Sequence, residues 1–330
     1  MKTFLFILFS FFFLFMVQAQ KKAVLHTYKK TLVVIAPEGT LLESDTTADS
    51  DDLIWLKPGD TLSCVREFSS WYFVKITLGG EVPMKGFIAK SDVCKYSEAK
   101  LTDRLLNLSY TKAINEEDTL NKVKVFLELI SQEEFLQQKQ NAPITHVVSP
   151  TIQKKDGTFI LPLLQGSLTY KDSINLNEGI DNVYDYDYEG EILALNTYIV
   201  STICHECEEV SYHLLDKSSG VNLGLEVEHL PIYSNDYKRL MSMGNQFVDS
   251  EDDDLATQIH EHAEFSLYLN NQWEESDLYK SFPMWQLLDD MPEFWGQDGA
   301  YYFACQPSFL NIKDGDKSHV QYAKLVVVKP

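Results

Sequence analysis

The stretch "TYIVSTICHECEEVSYHLLD", Thr197 to Asp216, carries two runs rich in β-branched and aromatic residues on either side of the polar run "CHECEE". Both runs alternate apolar and polar positions, which is the period of a half-buried strand and not of a helix. Two such strands joined by a few polar residues make an antiparallel hairpin, with Cys204-His205-Glu206-Cys207 at its end. The question of fold then becomes how far this pattern extends.

It extends through most of the chain from residue 144 onward. "TFILPLL", "EILALNTYIVSTI", "VSYHLLD", "KRLMSMG", "AEFSLYLN", "AYYFACQ" and "AKLVVV" read as strands, divided by turns at Asp156-Gly157, Ser219-Gly220, Asp298-Gly299 and Asp314-Gly315. Strands do not alternate with long helices, so the pattern does not point to a parallel α/β sheet. Upstream, "KVKVFLELI" (Lys122–Ile130) alternates as a strand, and Ser131 with Glu134 has capping-box spacing for a short helix over "SQEEFLQQKQ". Residues 96–121 are polar and read as a linker with some helix.

Residues 31–95 form a second all-β block. "TLVVIA", "LIWL", "TLSCV", "WYFVKITL" and "KGFIA" are separated by Pro37-Glu38-Gly39, Pro58-Gly59-Asp60 and Gly79-Gly80. Five short strands in so few residues suit a small barrel. The order "LKPGDTLSCV", "SSWYFVKI", "KGFIAKSDV" resembles a bacterial SH3-like domain, with Gly59, Trp71 and Gly86-Phe87-Ile88 in the matching places. Phe87 stands where that family usually carries Trp, and "TLGGEVPM" is inserted. The resemblance implies binding of cell-wall or peptide ligands. In the larger region, "PTIQKKDGTFILPL", "PIYSNDYKRLMSM" and "PEFWGQDGAYYFAC" repeat a Pro, an Asp and a following strand. That resembles the strand-turn-strand of β-propeller blades, although Pro and Asp are ordinary turn residues. The expectation is a mainly β protein: an SH3-like barrel over 31–95, a linker over 96–121, and a larger antiparallel β-sandwich or propeller-like domain over 122–330.

The first residues, "MKTFLFILFSFFFLFMVQAQKK", have a basic start, an apolar run and the small-residue end Val17-Gln18-Ala19. They read as a secretory signal peptide over 1–19, which implies export to a periplasm or beyond and no membrane insertion after cleavage. Losing Lys2 takes the formal charge from -21 to -22. A chain this acidic, with no basic stripe to displace counterions, is not a nucleic-acid binder. The acids cluster at Glu43–Asp52, Asp181–Glu191 and Asp249–Asp254, as solvated loops do. Five cysteines suggest two disulfides and one free thiol, Cys64 with Cys94 being one candidate pair.

Three stretches carry candidate chemistry. Cys204 and Cys207 have the spacing of half a zinc site, and His260 and His262 in "IHEHAEF" share one face of a strand, so the four residues offer a Cys₂His₂ set. The other readings of "CHEC" are a redox pair and a disulfide-linked hairpin end. Asp185, Asp187, Glu189 and Gly190 mimic the start of a calcium loop, but Asn196 replaces its final Glu. Their alternation with tyrosines reads better as a strand. "QWEESDLYKSFPMWQLLDDMPEFW" places Trp273, Trp285 and Trp295 among turns, either as a contact surface or as core. With Trp71 and Phe87 these are the candidate ligand-binding residues. No nucleophile elbow, zinc-protease helix or phosphate loop occurs. The functional expectation is a non-catalytic exported binding protein without cofactor, whose partner is a cell-wall component or a protein. The alternative is a zinc-binding protein or metalloenzyme using Cys204, Cys207, His260 and His262.

Overall fold

The computed structural model describes residues 30–47, 50–77, 83–108, 123–175, 182–207, 209–248, 260–270, 276–308, 310 and 317–328. The expected signal peptide, Trp273 and the Asp314-Gly315 turn lie outside them. The chain is mainly β, built of antiparallel sheets, and divides into two compact units, the first running to Ala99 and the second beginning at Lys100.

The first unit contains β1 (Thr31–Val34), β2 (Thr40–Glu43), β3 (Asp52–Leu56), β4 (Thr61–Glu67), β5 (Trp71–Ile76), β6 (Met84–Ala89) and β7 (Val93–Lys95). They form one sheet in the order β3-β2-β6-β5-β4-β1-β7. Alternate residues Leu32, Val34, Leu42, Leu56, Leu62, Val74, Ile76, Ile88 and Val93 supply a single core. Two of the strands, β2 and β7, are too short to show a period in the sequence. Among the described residues no ladder joins β3 to β7, so no closed barrel is formed there.

The same strand order corrects the expected Cys64–Cys94 disulfide. Both cysteines are free. β1 lies between β4 and β7, with Thr31 opposite Ser63 and Val33 opposite Cys94. Two strand spacings are roughly 9–10 Å, beyond the reach of a disulfide.

The second unit starts earlier than expected. The region read as a linker includes α1 (Asp103–Leu106), which Thr102 caps by accepting from the Leu105 N–H. This turn covers the free edge of β8 (Lys124–Ile130). Asn107 exchanges two hydrogen bonds with the Leu127 backbone, and the Asp103 carboxylate accepts from the Leu129 N–H at 3.0 Å. Side chains thus complete an edge that would otherwise present unpaired backbone groups. α2 (Gln132–Gln140) begins at Ser131, whose hydroxyl accepts from the Glu134 N–H as the spacing predicts.

The remaining strands are β9 (Thr158–Pro162), β10 (Ser167–Lys171), β11 (Ser173–Asn175), β12 (Asn182–Ile192), β13 (Thr197–Cys204), β14 (Glu209–Asp216), β15 (Asn222–Val227), β16 (Pro231–Tyr233), β17 (Arg239–Val248), β18 (His260–Leu269), β19 (Leu278–Phe282), β20 (Trp285–Leu287), β21 (Phe294–Trp295), β22 (Tyr301–Pro307) and β23 (Gln321–Val328). The opening hairpin is β13–β14, in register from Thr197 opposite Asp216 to Cys204 opposite Glu209. The tyrosine-acid run is strand β12, not a calcium loop. The apparent single strand "EILALNTYIVSTI" is broken by a 3₁₀ turn at Leu193–Leu195 and by Asn196 at φ 54°, which reverses the chain into β13.

Face parity then stacks the sheets. The β9–β10 hairpin packs Phe159 and Leu161 on Tyr198, Val200 and Leu215 of the central sheet β11–β15. The opposite parity of that sheet, Ile199, Leu214 and Leu225, packs on Tyr233, Leu240 and Tyr268 of the sheet β16–β19. Phe265 and Phe282 on the far side of β16–β19 stack with Trp285 and Phe303 of the last sheet, β20-β22-β23-β8. α2 covers the outer face of that sheet through Phe135. Pairing of β8 with β23 ties the beginning of the unit to its end.

Candidate functional site

The sheet β16–β19 presents two unlike faces. In register, Ser242 stands opposite Ser266, Gly244 opposite Glu264 and Gln246 opposite His262, while Tyr279 stands opposite Ser266. Strand alternation puts Met241, Met243, Ala263, Phe265 and Leu267 on the other side, against the last sheet. On the near side the face is apolar at Leu240 and Tyr268, where it meets the central sheet. Beyond them it turns polar, and a cavity of about 230 Å³ opens between this face and the end of β15.

Glu264 is the centre of the cavity. It is only 4% exposed, and its two oxygens are both engaged. Tyr279 donates its hydroxyl to Oε2 at 2.6 Å, and Nε2 of His229 lies 3.2 Å from Oε1. Burial alone would push this carboxyl up. The hydrogen bonds from His229 and Tyr279, with the two nearby imidazoles of His229 and His262, outweigh it and hold Glu264 below the usual range. Burial, together with its role as donor to Glu264, pushes the Tyr279 phenol up. Partial desolvation of its carboxyl at the cavity mouth, and then the neighbouring Glu264 charge, push Glu228 up.

His229 is held on both sides. Its backbone N–H donates to the Ser242 hydroxyl at 3.3 Å, and that hydroxyl donates to the His229 carbonyl at 2.9 Å. Its ring rests on Gly244, where any Cβ would fall 2.1 Å from Nδ1. The glycine is there for space: it lets an imidazole from the β15–β16 connection reach across β17 to Glu264 on β18. Donor atoms of Glu228, His229 and Glu264 all lie within 4.8 Å of one another.

The residues expected from the sequence fall outside the cavity lining; His262 comes nearest, two residues before Glu264 on the same face of β18. Cys204 and Cys207 are joined as a disulfide, Cα–Cα 5.3 Å, at the end of β13–β14. Their sulfurs are bonded to each other, and the histidines sit on β18 in a different sheet, so the Cys₂His₂ set is not brought together. His260 pairs with Val248 at the start of β18. His262 is 7% exposed, with burial pushing its imidazole down against the pull of Glu264. Trp285 and Trp295 are 0% and 2% exposed and donate to the Leu106 and Ile232 carbonyls, so they are core and present no ring to a ligand. In the first unit Phe87 is half-buried between Phe73 and the exposed Phe68, ring centroids 4.9 and 5.8 Å away, and Trp71 is half-buried on the neighbouring strand.

Sequence reasoning missed Glu228, His229, Glu264 and Tyr279. The available signal was the alternation in "LEVEHL" and "HEHAEF", which puts ionisable residues on one face of otherwise apolar strands. No family model, curated protein or solved structure matches this chain.

Proposed function

We propose that the chain is an exported, non-catalytic binding protein of the bacterial envelope or extracellular space, acting on a cell-wall component or a protein, and that a positively charged group of its ligand enters the cleft of β16–β19. The observation that carries this reading is the charge of the cleft. Glu226, Glu228 and Glu264 line it with His229, and Tyr268 and Tyr279 supply aromatic wall. Carboxylates and aromatic faces in a partly desolvated cavity favour a cation over an anion or a neutral ligand. The Ser and Gln side chains beside them add orienting hydrogen bonds, as small-ligand sites require. Export is supported by the leader read from the sequence. Among the described residues no helix is long and apolar enough to cross a membrane.

Calorimetry with cell-wall fragments and short peptides, each with its amine free or acetylated, tests the reading. Glu226 is exposed at the mouth, so Glu226→Trp fills the cavity without disturbing the core. Cation-dependent binding that Glu226→Trp weakens at least tenfold is the expected result. Binding of neither cationic fragments nor inorganic cations, or binding indifferent to Glu226→Trp, overturns it.

A further inference from the structure

The donor set inside the cleft narrows the cation. We infer that Glu228, His229 and Glu264 bind a divalent transition-metal ion, with zinc the best match to one imidazole and two carboxylates. This rests on the cleft being the ligand site and names what enters it.

Three observations converge on the assignment. First, the 3.2 Å between His229 Nε2 and Glu264 Oε1 is longer than the roughly 2.7–2.9 Å of a hydrogen bond between charged partners. Two ligands at about 2.0–2.1 Å from one tetrahedral ion are separated by about 3.3 Å. The pair is thus already spaced as neighbours in a coordination shell. Second, Glu228 brings a third donor within 4.8 Å of both. It follows directly on the strand that positions His229, so the two arrive together at the end of β15. Third, Glu264 has the outer support that metal carboxylates carry: Tyr279 holds Oε2 and leaves Oε1 directed at the imidazole. A second imidazole, His262, is buried two residues before Glu264 on the same strand.

The chemistry selects among ions. Imidazole with carboxylate suits zinc and its first-row neighbours, whereas calcium and magnesium prefer oxygen-only shells with more ligands. Three protein donors leave one tetrahedral position facing the cavity, where water or a donor atom of the ligand completes the shell.

The test is a zinc titration of the exported protein by calorimetry, with metal content measured after dialysis. Manganese, calcium and an organic ammonium ion run in parallel. One zinc per chain is expected, with calcium at least a hundredfold weaker. Glu228→Gln, at an exposed position, and His229→Gln each weaken zinc at least tenfold, while the Cys204→Ser, Cys207→Ser double variant leaves it unchanged. Failure to bind zinc, or binding that survives both cleft variants, overturns the inference. Ammonium binding that Glu226→Trp blocks, with no zinc bound, removes the metal and leaves the cleft as the ligand site. Loss of every cation removes both.

Discussion

Gly244→Ala should dismantle the cleft through a single methyl group. The added carbon would stand 2.1 Å from Nδ1, 2.3 Å from Cγ and 2.4 Å from Cε1 of His229. Non-bonded carbon and nitrogen settle near 3.5 Å, so the ring must retreat by about 1.4 Å. The His229–Glu264 separation is 3.2 Å, and a retreat of that size ends the interaction. Losing a hydrogen bond to a buried charged group costs about 1.5–3 kcal/mol. Against it, replacing Gly within a strand gains about 0.5–1 kcal/mol. The net is a destabilisation of about 0.5–2.5 kcal/mol, or roughly 1–10 °C in melting temperature for a unit of this size. The assay is a double-mutant cycle by urea denaturation with His229→Ala as the second arm. In the His229→Ala background the methyl meets no ring, so Gly244→Ala should turn neutral or stabilising. A Gly244→Ala protein with unchanged stability and cation affinity, or one equally damaged with and without His229, refutes the packing argument.

Three further outcomes follow from the structure. Denatured protein without reductant should show three reactive thiols, Cys64, Cys94 and Cys305, and with reductant five. Native Cys305 should stay unreactive, since burial pushes its thiol well up, and a denatured count of one would restore a second disulfide. Trp285→Ala should cost about 3–5 kcal/mol, because the ring fills the space between Phe282 and Phe303. Trp55→Ala, at a ring 54% exposed, should stay within about 0.5 kcal/mol. Equal chemical-denaturation midpoints for the two would show that Trp285 is not core. Glu67 bridges Lys30 and Lys90, which hold its carboxyl down at about 2. Its contribution is therefore complete above the ordinary carboxylate range and lost as pH falls toward 2. Melting curves of wild type and Glu67→Gln should converge in acid and in 1 M salt; curves that stay parallel down to pH 2 would refute the bridge.

The strands were legible where the alternation was long. "VSYHLLD" and "AEFSLYLN" each show the two-residue period over seven or eight positions, and both are strands in the structure. The cap at Ser131 was equally readable, because capping is decided within four residues. What escaped was either short or dependent on neighbours remote in sequence. β2, β7, β16 and β20 have three or four residues each, too few to reveal a period. Asn196 looked like one more polar position in a strand, yet its left-handed backbone makes the turn. The fates of Cys64 and Cys94 depended on β1 entering between their strands. Trp285 and Trp295 lay among turn residues, and only the stacking of sheets shows that those turns fold inward.

The cleft illustrates why a site of this kind hides in sequence while obeying ordinary sheet physics. Along β17, alternate positions run Leu240, Ser242, Gly244, Gln246, and along β18 they run Tyr268, Ser266, Glu264, His262. Each list begins apolar, where the central sheet covers it, and becomes polar within one strand. Closing two sheets over the polar half would strand a carboxylate and an imidazole without water, at a cost of several kcal/mol. The sheets therefore meet only where both are apolar, and the cavity is what remains. His229 and Glu228 then enter from the next connection, 35 residues before Glu264, at the one place where Gly244 leaves room. A face that switches character along its own strands departs from the rule that a buried face stays apolar, and such departures are expected at functional sites. That switch, rather than the conspicuous "CHEC" at a hairpin end, is where this chain departs from an ordinary buried sheet face.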